Sequence, residues 1–375
     1  MFFKLLKDAL KVKNVRNKIF FTLFIIFVFR VGTHITVPGI NAKSLGQLGE
    51  LPFLNMLNLV SGNAMSNFSV FSMGVSPYIT ASIIVQLLQM DILPKFVEWS
   101  KQGEVGRRKL NQATRYISLA LAFVQSIGIT AGFNTLSSIA LVSTPNVKTY
   151  LLIGALLTTG SMIVTWLGEQ ITDKGFGNGV SMIIFAGIIS SIPSAISTIY
   201  EDFFVNVRSS DLMSSYIFVA LLILAVLVIV FFTTFVQQAE YKIPIQYTKL
   251  EKGAPTSSYL PLKINPAGVI PVIFASSITT IPSTIIPLIS NGRDIPWLTN
   301  LEKLLNYQTP TGMVVYAVLI ILFSFFYTFV QVNPEKTAEN LQKGASYIPS
   351  VRPGRETEDY LSSLLKKLAT VGSVF

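Results

Sequence analysis

The sequence predicts an all-α polytopic membrane protein, and three observations carry that fold class. Of its 375 residues, 51% are hydrophobic and only 13% charged, a balance that excludes an ordinary soluble domain. Apolar runs long enough to cross about 30 Å of hydrocarbon recur along the chain. The cations are segregated as well: with a cytoplasmic N-terminus, all but six of the 29 Lys and Arg fall on the cytoplasmic side, as a correctly read topology requires.

A basic, amphipathic arm covers residues 1–18. Expected spans follow near 19–37, 70–90, 116–133, 149–168, 180–198, 216–236, 266–289 and 312–332, and a ninth run begins near Leu365, inside which the chain stops at Phe375. Only Arg30, Lys43, Lys148, Arg208, Arg293 and Lys303 lie outside. The first run ends in FRVGTHITVPGIN (29–41) without a small-residue cleavage pattern, so no cleavable signal peptide is expected. The seventh is a poor membrane helix. Within residues 261–287, Pro266, Pro271, Pro282 and Pro287 each lack a backbone donor, and Ser276, Ser277, Thr279, Thr280, Ser283 and Thr284 add polar groups that lipid cannot satisfy. Such a segment belongs against protein or beside water.

Enzyme chemistry finds little support. There are no cysteines, and the single histidine, His34, is read as a packing or interfacial residue at the outer end of the first span. No metal or cofactor is expected. Spans three to eight carry no Asp, Glu, Lys, Arg or His between their ends, unlike an ion-coupled pathway. The glycines of GEQITDKGFGNGVS (168–181) read as a tight turn in which Gly175, Gly177 and Gly179 supply permissive backbone geometry, because the lysine and hydroxyl of a phosphate loop are missing. A basic cluster, Arg107, Arg108, Lys109 and Arg115, suits anionic lipid or a phosphate-bearing surface. The rival classes are a broken-helix secondary transporter and a nonconducting membrane scaffold.

Several longer words point further. FRVGTHITVPGIN (29–41), GVSPYITASIIVQLL (74–88), GEVGRRKLNQATRY (103–116), WLGEQITDKGFGNGVS (166–181), LPLKINPAGVIPVIFASSI (260–278) and NPEKTAENLQKGASYIPSVRPG (333–354) stand in order. Through them the chain resembles the SecY family, central subunits of the bacterial protein-conducting channel. The resemblance implies a bundle of ten helices in two inverted, pseudo-symmetric halves around an hourglass pore. The N-terminal half would be 19–198, the external connector 199–215 and the C-terminal half 216–375, incomplete because span ten is not reached.

It also implies roles for residues. The waist of the pore would be Val75, Ile79, Val180, Ile184 and Ile273, since a narrow aliphatic ring dewets and blocks ions without gripping a passing polypeptide. Residues 53–66, too short to span, match a re-entrant plug comprising Leu57, Leu59, Val60, Ser61, Gly62, Ala64 and Met65. A lateral gate would involve Thr80, Ser82 and Gln86 on span two and Ser276, Thr279 and Ile281 on span seven. The cytoplasmic loops 237–263 and 333–360 would receive a SecA motor or a ribosome, with Arg352, Arg355, Lys242, Lys249, Arg107 and Arg108 as docking cations. Before IP this chain reads QQAEYKIP, leaving Lys242 beside Glu240 where many relatives are strongly basic. SecE-like and SecG-like membrane subunits, signal-bearing polypeptides and anionic lipid complete the implied partners, and a bacterial plasma membrane is the implied location.

Overall fold

The computed structural model describes residues 11–41, 61–90, 92–136, 142, 145–205, 212–247, 257–279, 296–305 and 309–375. They divide into two compact units: Met1–Glu201 with Thr280–Glu302, and Asp202–Thr279 with Lys303–Phe375.

The first unit contains α1 (Lys13–Gly32), α2 (Ser76–Leu88), α3 (Pro94–Lys101), α4 (Gly103–Leu136), α5 (Val147–Lys174) and α6 (Gly179–Tyr200). Lipid tails are as apolar as Leu, so helices in a membrane gain little from burying Leu on Leu and associate instead through small residues and hydrogen bonds. The helices α4 and α5 follow that rule. Ser126 Oγ lies 3.1 Å from the Gly154 carbonyl and 3.5 Å from Thr158 Oγ1, and a Cβ on Gly154 would come within 2.9 Å of Ile127. At the other end of α5, Arg115 and Glu169 form a two-armed ion pair with N···O distances of 2.9 and 2.6 Å.

The second unit contains α7 (Leu212–Gln238), a hairpin of β1 (Glu240–Tyr247) and β2 (Ser257–Lys263), α8 (Ile270–Thr279), α10 (Pro310–Gln331), α11 (Pro334–Lys343), β3 (Ser346–Tyr347) and α12 (Arg355–Val374); α9 (Pro296–Leu305) lies between α8 and α10 in sequence. No part of the apolar window of α7 is buried within the chain, which is how a lipid-facing span reads. The three strands form one antiparallel sheet in the order β2-β1-β3. Along β1, Ile243 and Ile245 are buried while Lys242, Pro244 and Gln246 are exposed, the period-two pattern of a half-buried strand. Ile243 and Leu262 join Ile348, Leu361, Leu365 and Leu368 in one core.

Several expectations shift. Each of the eight expected spans contains helix, but among the described residues only four helices are long and apolar enough alone: α5, α6 continuing to Val205, α7, and α10 continuing into α11. The second begins only at Ser76 because residues 61–75 are wound into turns, with positive φ at Gly62, Asn63, Phe68 and Gly74. The ninth run does not start a helix at Leu365. It lies inside α12, which starts at Arg355 and turns Leu361, Leu365 and Leu368 onto the sheet. The segments 237–263 and 333–360, expected as loops within an all-α chain, carry the sheet and α11. His34 is exposed.

Candidate functional site

Four of the five expected waist residues lie on one apolar cluster of the first unit. Val75 is fully buried there at the N-cap of α2, and Ile79 packs against the cluster one turn later. Val180 and Ile184 reach the same cluster from the first turns of α6 and stay partly exposed. Ile25, Phe29, Phe71, Val164, Leu167, Ile171 and Ile183 back them. Two helix starts thus present aliphatic side chains on a stiff apolar support. Ile273 sits on α8 in the other unit, half-buried, its carbonyl accepting from Ser276 and Ser277 at 2.8 Å each.

The Gly-rich turn sets the position of Val180. Thr172 Oγ1 accepts from the Gly179 N–H at 2.9 Å, and Asn178 caps α6 by accepting from the Ser181 N–H at 3.2 Å. The three glycines were expected to serve backbone freedom, and only Gly177 does so, at φ +74°. Gly175 and Gly179 serve space instead. A Cβ on Gly179 would lie 1.8 Å from the Gly168 carbonyl, and one on Gly175 would lie 2.6 Å from Thr22 Oγ1.

Of the expected plug residues, Ser61, Gly62, Ala64 and Met65 are described, and all are buried; Leu57, Leu59 and Val60 lie outside the described residues. Ala64 O accepts from Ser69 N at 3.0 Å and from Ser72 Oγ at 2.9 Å. Ser161 Oγ on α5 donates to Gly74 O at 2.9 Å, and Gly160 leaves room for the Val70 carbonyl, 1.8 Å from where its Cβ would be. Met65, Phe68 and Met73 pack with Val37, Ile129, Ile153 and Leu157. The segment 61–75 is therefore packed against protein, one of the two environments, with a water-filled cavity, in which irregular backbone is tolerated at membrane depth.

The hydroxyls of the expected gate are turned onto their own helices. Thr80 Oγ1 donates to Ser76 O at 3.1 Å, Ser276 Oγ to Ile273 O at 2.8 Å, and Thr279 Oγ1 lies 3.1 Å from Ala275 O. Gln86 Nε2 donates to Ser82 Oγ at 3.2 Å, while its Oε1 is buried with no partner. Ile281 lies outside the described residues.

Among the docking cations, Arg352 is the most sharply presented. Its backbone is held by Thr357 Oγ1, which donates to Arg352 O at 2.8 Å, while its side chain is 87% exposed and pairs with Glu356, at 3.8 Å. Arg355 is exposed at the first residue of α12. Lys242 lies over the Tyr259 ring, 4.7 Å from its centroid, and Lys249 lies outside the described residues. Arg107 and Arg108 are exposed on the first turns of α4, beside Gly106, whose missing side chain admits the Trp99 carbonyl. Two charged contacts were not foreseen. Arg115 with Glu169 joins residues 54 apart, which no local pattern reveals. Arg30 reaches the expected plug, and its signal in the sequence was a cation at the end of an apolar span.

Comparison with known proteins gives a consistent picture. The SecY family profile matches residues 69–375. Protein translocase subunit SecY of Streptococcus gordonii is 74% identical over 376 residues, covering all of this chain and 86% of that protein. The subunits of that name from Lactococcus lactis subsp. lactis and Bacillus subtilis are 68% and 49% identical, again over all of this chain and 86% of theirs. A solved structure described as that of a protein conducting channel shares the fold at a TM-score of 0.66 and 16% identity, over 96% of this chain and 84% of that one. The chain belongs to the SecY family.

Proposed function

We propose that this SecY-family chain is the pore-forming subunit of a protein translocase in a bacterial plasma membrane, N-terminus cytoplasmic, passing unfolded secretory polypeptides and releasing apolar segments sideways into lipid. The observation that carries the reading is the gathering of Val75, Ile79, Val180 and Ile184 on one rigid apolar cluster at two helix starts. An aliphatic constriction excludes ions by dewetting, yet offers a moving chain no hydrogen bond to linger on. The five-residue waist closes with Ile273, the plug comprises residues 53–66, and the gate is lined by Thr80, Ser82 and Gln86 and by Ser276, Thr279 and Ile281.

The chain holds no nucleotide-binding loop, so the driving energy comes from a partner. Support for docking lies in the cytoplasmic sheet with α11 and α12, which has its own core and projects Arg352 on a braced loop. We assign Arg352, with Arg355, Lys242 and Lys249, to a SecA-like motor or a ribosome, and Arg107 and Arg108 to the same face or to anionic headgroups. SecE-like and SecG-like subunits would accompany it. The test is export of a reporter whose signal peptide has been weakened. Ile79→Asn and Ile273→Asn should each hydrate the waist and raise export several-fold over the parent; unchanged export from both variants at normal abundance would remove these residues from the ring.

A further inference from the structure

We infer that Arg30 is a latch that keeps the channel shut, by holding the backbone at Gly62 against α6. The inference rests on the plug reading above and names the group that positions the plug. Arg30 is half-buried two residues before the end of α1. Its Nη1 lies 2.7 Å from the Gly62 carbonyl, 3.3 Å from Ser190 Oγ and 3.4 Å from Thr33 Oγ1. Both hydroxyls spend their hydrogen elsewhere, Ser190 on Gly187 O at 2.7 Å and Thr33 on Arg30 O at 2.7 Å. Their lone pairs are thereby left for the guanidinium, which has donors only. Three separate parts of the chain, α1, the 61–75 segment and α6, meet at one side chain.

The fit at Gly62 is close. It adopts φ +67°, and a Cβ there would lie 3.0 Å from both Gly187 Cα and Ser190 Oγ. The backbone is thus recessed into a notch that Gly187 opens in α6, with the guanidinium across its carbonyl. No carboxylate among the described residues pairs with Arg30. That choice of partner matters for a latch. Breaking an ion pair in a poorly hydrated site would strand two charges, whereas letting go of a carbonyl leaves one cation that keeps Ser190 and Thr33 as acceptors. A charge-assisted hydrogen bond is strong enough to bias a closed state and weak enough to be overcome when a polypeptide enters.

The experiment measures resting ion conductance of the assembled complex in planar bilayers, without substrate, for the parent, Arg30→Gln, Ser190→Ala and a deletion of residues 53–60. The open fraction should rise about tenfold in Arg30→Gln, the scale of losing one hydrogen bond to a charged group, and about two- to threefold in Ser190→Ala. A deletion that conducts beside a silent Arg30→Gln and Ser190→Ala overturns the latch and leaves the plug reading standing. Silence in all three overturns both. A second readout uses the absence of native cysteines: Ser61→Cys in the buried segment should react slowly with an external thiol reagent, and about tenfold faster when combined with Arg30→Gln. Equal rates overturn the latch. Should Arg30→Gln fail to accumulate, Ser190→Ala, which keeps the arginine, decides by the same conductance and labelling measurements.

Discussion

The α4–α5–α6 bundle and the sheet with α12 differ in how closely their elements approach one another. In the bundle, close backbone approaches are added to the apolar clusters: Gly160 admits the Val70 carbonyl, Gly179 admits the Gly168 carbonyl, and Ser126 reaches Gly154 O across the interface. In the sheet region, contact is made by side chains, a core of Ile243, Leu262, Ile348, Leu361, Leu365 and Leu368. The solvent explains the difference. Water rewards burial of every apolar side chain, roughly 25 cal/mol per Å², while lipid gives no such reward and leaves close backbone approach and hydrogen bonds as the means of association. Small-to-large substitutions at glycines should therefore cost most in the bundle, and large-to-small substitutions should be felt in the sheet core.

The largest effect is expected at Gly179. In Gly179→Val the side chain meets a backbone carbonyl that cannot retreat without separating α5 from α6, a cost beyond the ~3 kcal/mol of ordinary overpacking. Steady-state abundance and thermal unfolding in detergent should show near-complete loss of folded protein, and a parent-like transition would break the comparison on its membrane side. Next comes Leu361→Ala in the sheet core, where a fully buried leucine leaves a cavity costing about 3 kcal/mol. Limited proteolysis of the sheet region should accelerate while the membrane bundle stays protected. Uniform unfolding of the whole chain would show that the two regions are not separable in this sense.

A smaller effect is expected for Ser126→Ala, which removes one interhelical contact worth about 0.6 kcal/mol in a membrane; a shift above about 2 kcal/mol would mean that the α4–α5 contact relies on this serine far more than on its glycines. Least of all in stability is Arg352→Glu. The side chain is 87% exposed, so unfolding should move by less than about 0.5 kcal/mol, yet motor-stimulated transport in reconstituted vesicles should fall severely. Equal stimulation of variant and parent would detach Arg352 from docking.

How much of this could be read in advance depended on range. Apolar runs marked the helices because lipid imposes composition residue by residue. The strands escaped notice because EYKIPIQY is short and polar at alternate positions, although that alternation is itself the signal of a half-buried strand. LKKLATVGSVF (365–375) read as the start of a span, because its leucines are as apolar as those of a lipid-facing helix; what distinguishes Leu365 and Leu368 is the sheet they meet. Gly175, Gly177 and Gly179 look alike in sequence, and only the chain beside each one separates freedom from space. Arg30 was counted among the external cations with no part assigned to it. Its partners, Gly62 and Ser190, are 32 and 160 residues away, and no local pattern predicts them.

The central claim is that the starts of α2 and α6 line the polypeptide path while α7 faces lipid. Photo-crosslinking tests it directly: a photoreactive residue placed at Ile79 is compared with one at Ile229, in the exposed face of α7, in complexes stalled with a secretory polypeptide part-way across. Strong crosslinks to the polypeptide from position 79, and to lipid alone from 229, are the predicted result. Polypeptide crosslinks of equal strength from both positions, or none from 79, would contradict the account.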